Sequence, residues 1–174
     1  MSVRMVTDKH VDGFRFAGPA ARILRQSIPT TPQYDWIPWT PLTKPLSACR
    51  FTLLTTAGVS LRTDAPFDMT REQQEPTWGD PSFRCIPSSA TANDVDISHL
   101  HINTEYAAQD LNVVLPLQRF QELEQSGEIG SLAPTCYSIM GFNTDPTELV
   151  CDSAPKIAEA MRDEEVDAAL LVPV

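Results

Sequence analysis

The apolar positions of this chain fall into a few short runs, and the clearest is the last. Asp167 is followed by five apolar residues, Ala168 to Val172, and then by Pro173. A continuous apolar run of that length behind a helical pattern predicts a strand covered on both faces, as in a parallel sheet. Cys49 to Thr56 predicts another strand, with Ala57-Gly58 at its carboxyl end. Leu111–Leu115 and Tyr137–Met140 are further strand candidates, the second ending at Gly141. Pro116 opens a helix where its missing N–H is harmless, Leu117, Phe120 and Leu123 face the core, and Gly127 is the C-cap. Asp145-Pro146 opens a second helical stretch that Pro155 re-caps or kinks, with Ile157, Ala158 and Met161 as its apolar stripe. Strands alternating with helices of this length indicate βαβ units. The predicted fold class is α/β: a three-layer, open, mostly parallel sheet with flanking helices and a Pro-rich N-terminal arm.

Elsewhere the pattern is weaker. Residues 11–27 carry apolar positions at helical spacing, interrupted by Gly13, Gly18 and Pro19. Five prolines between Pro29 and Pro45, with Tyr34, Trp36 and Trp39 among them, deny a helix or a central strand. They predict an extended arm whose aromatics pack on the chain's own core or on another subunit. The division is therefore 1–46, helix and arm, and 47–174, an α/β domain. Residues 62–91 lack periodicity and predict a long irregular loop, ordered by its aromatics and Arg84. Asp94 to Ile102 alternates, with Val95, Ile97, His99 and His101 on one face.

Composition narrows the partners. A net charge of −10 over 174 residues argues against nucleic acid and anionic membrane. No apolar run approaches the roughly 20 residues of a membrane span, and residues 1–12 lack a secretory h-region, so a cytoplasmic location is expected. The four cysteines, Cys49, Cys85, Cys136 and Cys151, are far apart and read as reduced thiols.

Candidate chemistry follows from the sheet. Ligands of open α/β sheets bind beyond the carboxyl ends of the strands. Gly58 lies at such an end and either admits a ligand to the backbone or makes a plain turn. Arg84 either clamps a carboxylate in bidentate fashion or pins the loop through Asp80. His99 and His101 share one side of a strand. They are a pair of metal ligands needing a third from Asp110 or Glu105, proton-handling or substrate-facing groups, or structural imidazoles. No phosphate-cradling glycine motif is present.

Taken in order, several short motifs carry a resemblance. They include Pro38-Trp39-Thr40-Pro41-Leu42, Lys44-Pro45-Leu46, Thr55-Thr56-Ala57-Gly58-Val59 and Pro66-Phe67-Asp68. They continue with Gly79-Asp80-Pro81-Ser82-Phe83-Arg84-Cys85-Ile86-Pro87, Ile97-Ser98-His99-Leu100-His101 and Asp110-Leu111-Asn112-Val113-Val114-Leu115-Pro116. Gly127 to Gly130, Tyr137 to Gly141 and Val166-Asp167-Ala168 complete the set. The chain resembles the selenoprotein B family of glycine, betaine, sarcosine and D-proline reductases, and its shorter D-proline-reductase-like members most.

The resemblance implies a subunit of an oligomeric reductase that cleaves a carbon–nitrogen bond of a small amine or amino acid. A pyruvoyl-bearing partner subunit helps bind the amine, and this chain carries no cofactor of its own. The attacking selenolate or thiolate is expected directly after the last strand, beyond Val174. Its absence is put down first to a UGA codon read as stop, then to deliberate shortening or to a short relative that lost the chemistry. Within the chain, the resemblance and the residue types together make His99, His101 and Asp110 the catalytic candidates and Gly58, Asp80 and Arg84 the substrate-binding ones. No metal site is expected. Against this stand a binding or assembly protein that uses the aromatic arm, and a metal protein built on His99 and His101.

Overall fold

A computed structural model describes residues 40–75, 78–99 and 104–174. The helix expected over 11–27, the aromatics Tyr34, Trp36 and Trp39, and His101 lie outside the described residues. A 3-10 turn, Leu46–Ala48, leads into β1, Arg50–Thr55. There follow β2 (Val59–Leu61), α1 (Met69–Gln74), β3 (Phe83–Pro87), β4 (Val95–Ile97) and α2 (Thr104–Gln109). A second 3-10 turn, Leu111–Val113, precedes α3 (Leu117–Gln125), and then come β5 (Ser131–Leu132) and β6 (Thr135–Ile139). One turn of π-helix, Leu149–Ser153, runs into α4 (Ala154–Asp163), and β7 (Ala168–Val172) completes the order.

The main sheet is mostly parallel and is built around β1. β7 runs parallel along one edge of β1, with Phe51 opposite Ala168 through Thr55 opposite Val172. β5 and β6 share the other edge, also parallel, with Arg50 opposite Ser131 and Leu54 opposite Tyr137. Four residues along β1 thus correspond to six along its neighbour, and the surplus pair is Ala133-Pro134. Proline cannot donate to a ladder; the Ala133 N–H still reaches the Phe51 carbonyl at 2.7 Å, and the Pro134 carbonyl accepts from the Ser88 N–H at 2.8 Å. β3 adds antiparallel to β6, and β2 and β4 form a separate antiparallel ribbon. The predicted α/β class with a mostly parallel sheet and flanking helices is what the protein adopts.

The core gathers Leu53 of β1, Ile86 of β3 and Cys136 of β6 with Val59, Val95, Ala107, Leu111, Leu115 and Leu117. Leu53 and Ile86 are fully buried, each contributing roughly 2 kcal/mol of transfer free energy. Phe120 of α3 packs on Phe51, ring centroids 5.8 Å apart. Tyr137 and Phe83 pair separately at 6.5 Å.

Three expectations are corrected. Leu111–Leu115 is not a strand: Leu111–Val113 forms a 3-10 turn, which the Asp110 side chain caps by accepting from the Asn112 N–H at 3.0 Å. Asn112 in turn lends its carbonyl oxygen to the Gln118 N–H at 3.1 Å, so it caps α3 where Pro116 has no side chain to do so. The loop over 62–91 contains both α1 and β3; Asp68 caps α1 by accepting from the Arg71 N–H at 2.9 Å. Finally, β7 is not covered on both faces. Among the described residues it is an edge strand, and its Leu171 is 65% exposed.

Proline shapes the helix before β7. Pro155 lacks an N–H, and its ring would crowd the carbonyl four residues back. The turn widens so that the Ala154 N–H bonds the Leu149 carbonyl, five residues earlier, which is a π turn. The helix ends differ in one respect. Gly127, with φ 74°, closes α3 through Gly127 N–H to Glu124 O and Glu128 N–H to Leu123 O. At the same place in the same motif, α4 has Glu165 with φ 55°. A side chain there is strained, and its negative charge opposes the helix dipole. Glu165→Gly is expected to raise stability by about 1 kcal/mol, read as a higher urea midpoint at unchanged m-value.

Candidate functional site

The carboxyl ends of the parallel strands converge on one rim. Thr56 follows β1, Met140 and Gly141 follow β6, and Pro173-Val174 follow β7. The Thr56 N–H donates to the Val172 carbonyl at 3.1 Å, and the Val174 N–H donates to the Thr56 hydroxyl oxygen at 2.8 Å. Gly141 lies close behind; a Cβ added there would stand 3.1 Å from the Thr56 carbonyl oxygen. β7 therefore leads its downstream end onto the rim beside Thr56.

Gly58 turns the chain away from this rim into β2. Its φ is 63°, its N–H donates to the Ile139 carbonyl at 3.0 Å, and its carbonyl accepts from the Ser98 N–H at 2.8 Å. A Cβ would stand 2.1 Å from the Ser98 carbonyl oxygen and 2.5 Å from the Met140 sulfur. The close approach that Gly58 permits is to its own chain, between β1, β4 and β6. His99 comes one residue after Ser98 and is half-buried. Gly58 and the start of the histidine segment are thus neighbours through the backbone.

Asp80 and Arg84 also come together, in a knot that binds Pro66-Phe67-Asp68 to Gly79–Arg84. Asp80 is buried, 8% exposed, and accepts from the Asp68 N–H at 2.9 Å, from the Ser82 N–H at 2.9 Å and from the Ser82 hydroxyl. The Ser82 oxygen accepts from Arg84 Nη1 at 2.9 Å, so the link between acid and base runs through a hydroxyl. The remaining Arg84 N–H groups donate to the carbonyls of Ala65, Pro66 and Phe83 at 2.8–3.0 Å, and its guanidinium lies 4.2 Å above the Phe67 ring. Burial pushes the Asp80 carboxyl up; the Ser82 and Asp68 donors and the Arg84 charge outweigh it and hold the pKa below its ordinary value.

Asp110 sits apart from that knot. Its oxygen accepts from the Asn112 N–H and side-chain amide, and these bonds lower its pKa. It lines a cleft of about 430 Å³ with Ser89, Thr91, Asn112, Gln118 and Gln121. A second cleft, about 420 Å³, is lined by Trp78, Gly79, Asp145, Glu148, Cys151 and Asp152. All four cysteines are free thiols; Cys49 and Cys136 are buried, Cys85 and Cys151 exposed. Burial raises the Cys85 thiol, helped by Glu164 and Asp64, and burial likewise raises Cys136, so neither is held as a thiolate. Among the described residues no three His, Cys, Asp or Glu converge to hold a metal, and no helix is long and apolar enough to cross a membrane.

Two contributors went unread in the sequence. Ser82 is the relay of the Asp80–Arg84 knot, which the Asp-Pro-Ser turn could have signalled. Thr56, whose hydroxyl holds the Val174 N–H, carries no local signal.

The arrangement is that of an α/β protein whose parallel strands β1, β6 and β7 end on a common rim. Residues 26–174 match the family described as glycine/sarcosine/betaine reductase selenoprotein B. The chain is 34% identical over 144 residues to D-proline reductase subunit gamma of Acetoanaerobium sticklandii, covering 83% of this chain and 55% of that protein. It is 29% identical over 140 residues to the glycine reductase complex component B subunit gamma of Symbiobacterium thermophilum, and 26% over 140 to that of Carboxydothermus hydrogenoformans; each match covers 80% of this chain. It spans about half the length of the first relative and about a third of the other two, 32% and 31%. No solved structure matches. The chain belongs to the glycine/sarcosine/betaine reductase selenoprotein B family.

Two measurements check the site's construction. Gly58→Ala drives a methyl into the Ser98 backbone and should cost about 3 kcal/mol or more, read as a large loss of melting temperature. The Ser82 and Asp68 donors and the Arg84 charge hold the Asp80 carboxyl below its ordinary value in the folded state. Its contribution is complete above that value and is lost as pH falls through the folded pKa. The stability gap between the native chain and Asp80→Asn should therefore be full at pH 7 and shrink below about pH 4; an unchanged gap at pH 3 would show that the carboxylate charge does not matter.

Proposed function

We propose that this chain is a subunit, or the N-terminal part of one, of a selenol- or thiol-dependent reductase that reductively cleaves a C–N bond. The substrate class is a small amine or amino acid, such as D-proline or a glycine derivative. The observation that carries this reading is the family match over residues 26–174, joined to a β7 that runs onto the carboxyl rim at Thr56. A nucleophile following Val174 would enter the rim beside Thr56 and Gly141, where an open α/β sheet does its chemistry.

In this reading the electrons come from a dithiol, and protons go to the separated carbon and nitrogen. His99 and His101 supply proton transfer or substrate contact, with Asp110 orienting one of them. Gly58 shapes the turn beside the pocket, and Asp80 and Arg84 line it through the loop they hold in place. The amine is bound with help from a pyruvoyl group on a partner subunit, so assembly with that subunit belongs to the function. A cytoplasmic location fits the thiol chemistry.

The test is an assay of this chain beside a version extended through the downstream codons, the first of them read as Sec or Cys. A pyruvoyl-bearing partner, a dithiol and D-proline or a glycine derivative are supplied to both. The extended form should turn over at least about 10³-fold faster, as when a nucleophile is restored. Equal rates would place the attacking atom elsewhere.

A further inference from the structure

We infer that the outer edge of β7 is an interface for the part of the family's polypeptide that lies outside the stretch this chain matches, which adds to the sheet as a strand beside β7. The inference rests on family membership and not on the catalytic reading.

β7 is paired with β1 over five residues on one edge. Among the described residues no strand pairs with its other edge. Ala169, Leu170 and Leu171 are exposed, Leu170 at 39% and Leu171 at 65%. Adjacent strand residues point to opposite faces, so apolar surface is bare on both sides of the sheet at this edge. Proteins normally blunt a sheet edge with a charge, a proline or a bulge. The opposite edge follows that rule: β3 carries Arg84, wrapped onto Ala65 and Pro66, and ends at Pro87. Between Asp167 and Pro173, β7 has no charge and no proline.

The bare strand is also held in place. At its start, Asp167 accepts from the Arg50 N–H at 2.9 Å and from Lys44 Nζ at 2.7 Å. At its end, the Val174 N–H is held by Thr56. A pinned, charge-free strand whose outer edge has no partner among the described residues is a template for one more strand, and an apolar run of this kind belongs inside a parallel sheet with both faces covered. The occupant follows from length. This chain spans 55%, 32% and 31% of its relatives, so members of the family carry a further body of chain able to supply that strand and its cover. A second copy of this chain is the poorer occupant, because each copy would bring a net charge of −10.

The probe is the portion of the A. sticklandii D-proline reductase subunit gamma that lies outside the match. It is mixed with this chain, and it is also joined to it as a chimera, in case the portion does not fold alone. The outward-facing amides of residues 168–172 should exchange at least about tenfold more slowly in the mixture or the chimera than in this chain alone. Leu170→Lys and Leu171→Lys, both at exposed positions and checked by melting temperature, should weaken binding by about tenfold or more each and restore fast exchange. Fast exchange in both the mixture and the chimera overturns the inference. So does binding indifferent to both substitutions, or self-association of this chain that they abolish.

Discussion

Everything in this fold depends on β1 accepting parallel neighbours on both of its edges. Parallel strands need crossover connections, and those put helices and ribbons over the faces. Arg50 anchors the arrangement at the amino end. Its N–H is held by Asp167, its Nη1 donates to the Glu164 carbonyl at 2.7 Å, and its carbonyl accepts from the Asp167 N–H at 2.9 Å. Thr56 anchors the carboxyl end. With both ends of β1 tied to β7, the rim holds its shape while loops leave it in different directions.

Those departures separate two kinds of structure. Gly58 takes the chain from the rim into the β2–β4 ribbon, and β4 returns beside Gly58, ending at Ile97 two residues before His99. The knot of Asp80, Ser82 and Arg84 holds the loop between α1 and β3. In both cases the polar and glycine residues that looked reactive in the sequence are engaged by the protein itself. The rim they leave is where β1, β6 and β7 all end.

Long-range order was legible where one periodicity ran unopposed. The α3 helix, its glycine cap and the strands β1 and β6 were readable because burial and local preference agree there. Leu111–Leu115 misled because a mostly apolar run can be a 3-10 turn when Asp110 caps its start and Asn112 within it caps the helix that follows. The loop over 62–91 misled because α1 and β3 are too short to show a period. β7 was recognised as a strand, and its exposure could not be read from its composition. Of the candidate site residues, the pairing of Asp80 with Arg84 was foreseeable from spacing, whereas the Ser82 relay needed coordinates. The Asp110 carboxylate drew attention as a partner for imidazole, and its local bonds go to Asn112.

The Ala133-Pro134 interruption has a consequence for how lineages of this fold can change length. Side chains alternate along a strand, so an even surplus leaves Cys136 facing inward with Leu53 and Ile86 and keeps Tyr137 against Phe83. An odd surplus would exchange the two layers' contents in a single step. Insertions and deletions at this point are thereby quantised: descendants can differ by a pair of residues, while a lone residue gained or lost demands that both cores be rebuilt together.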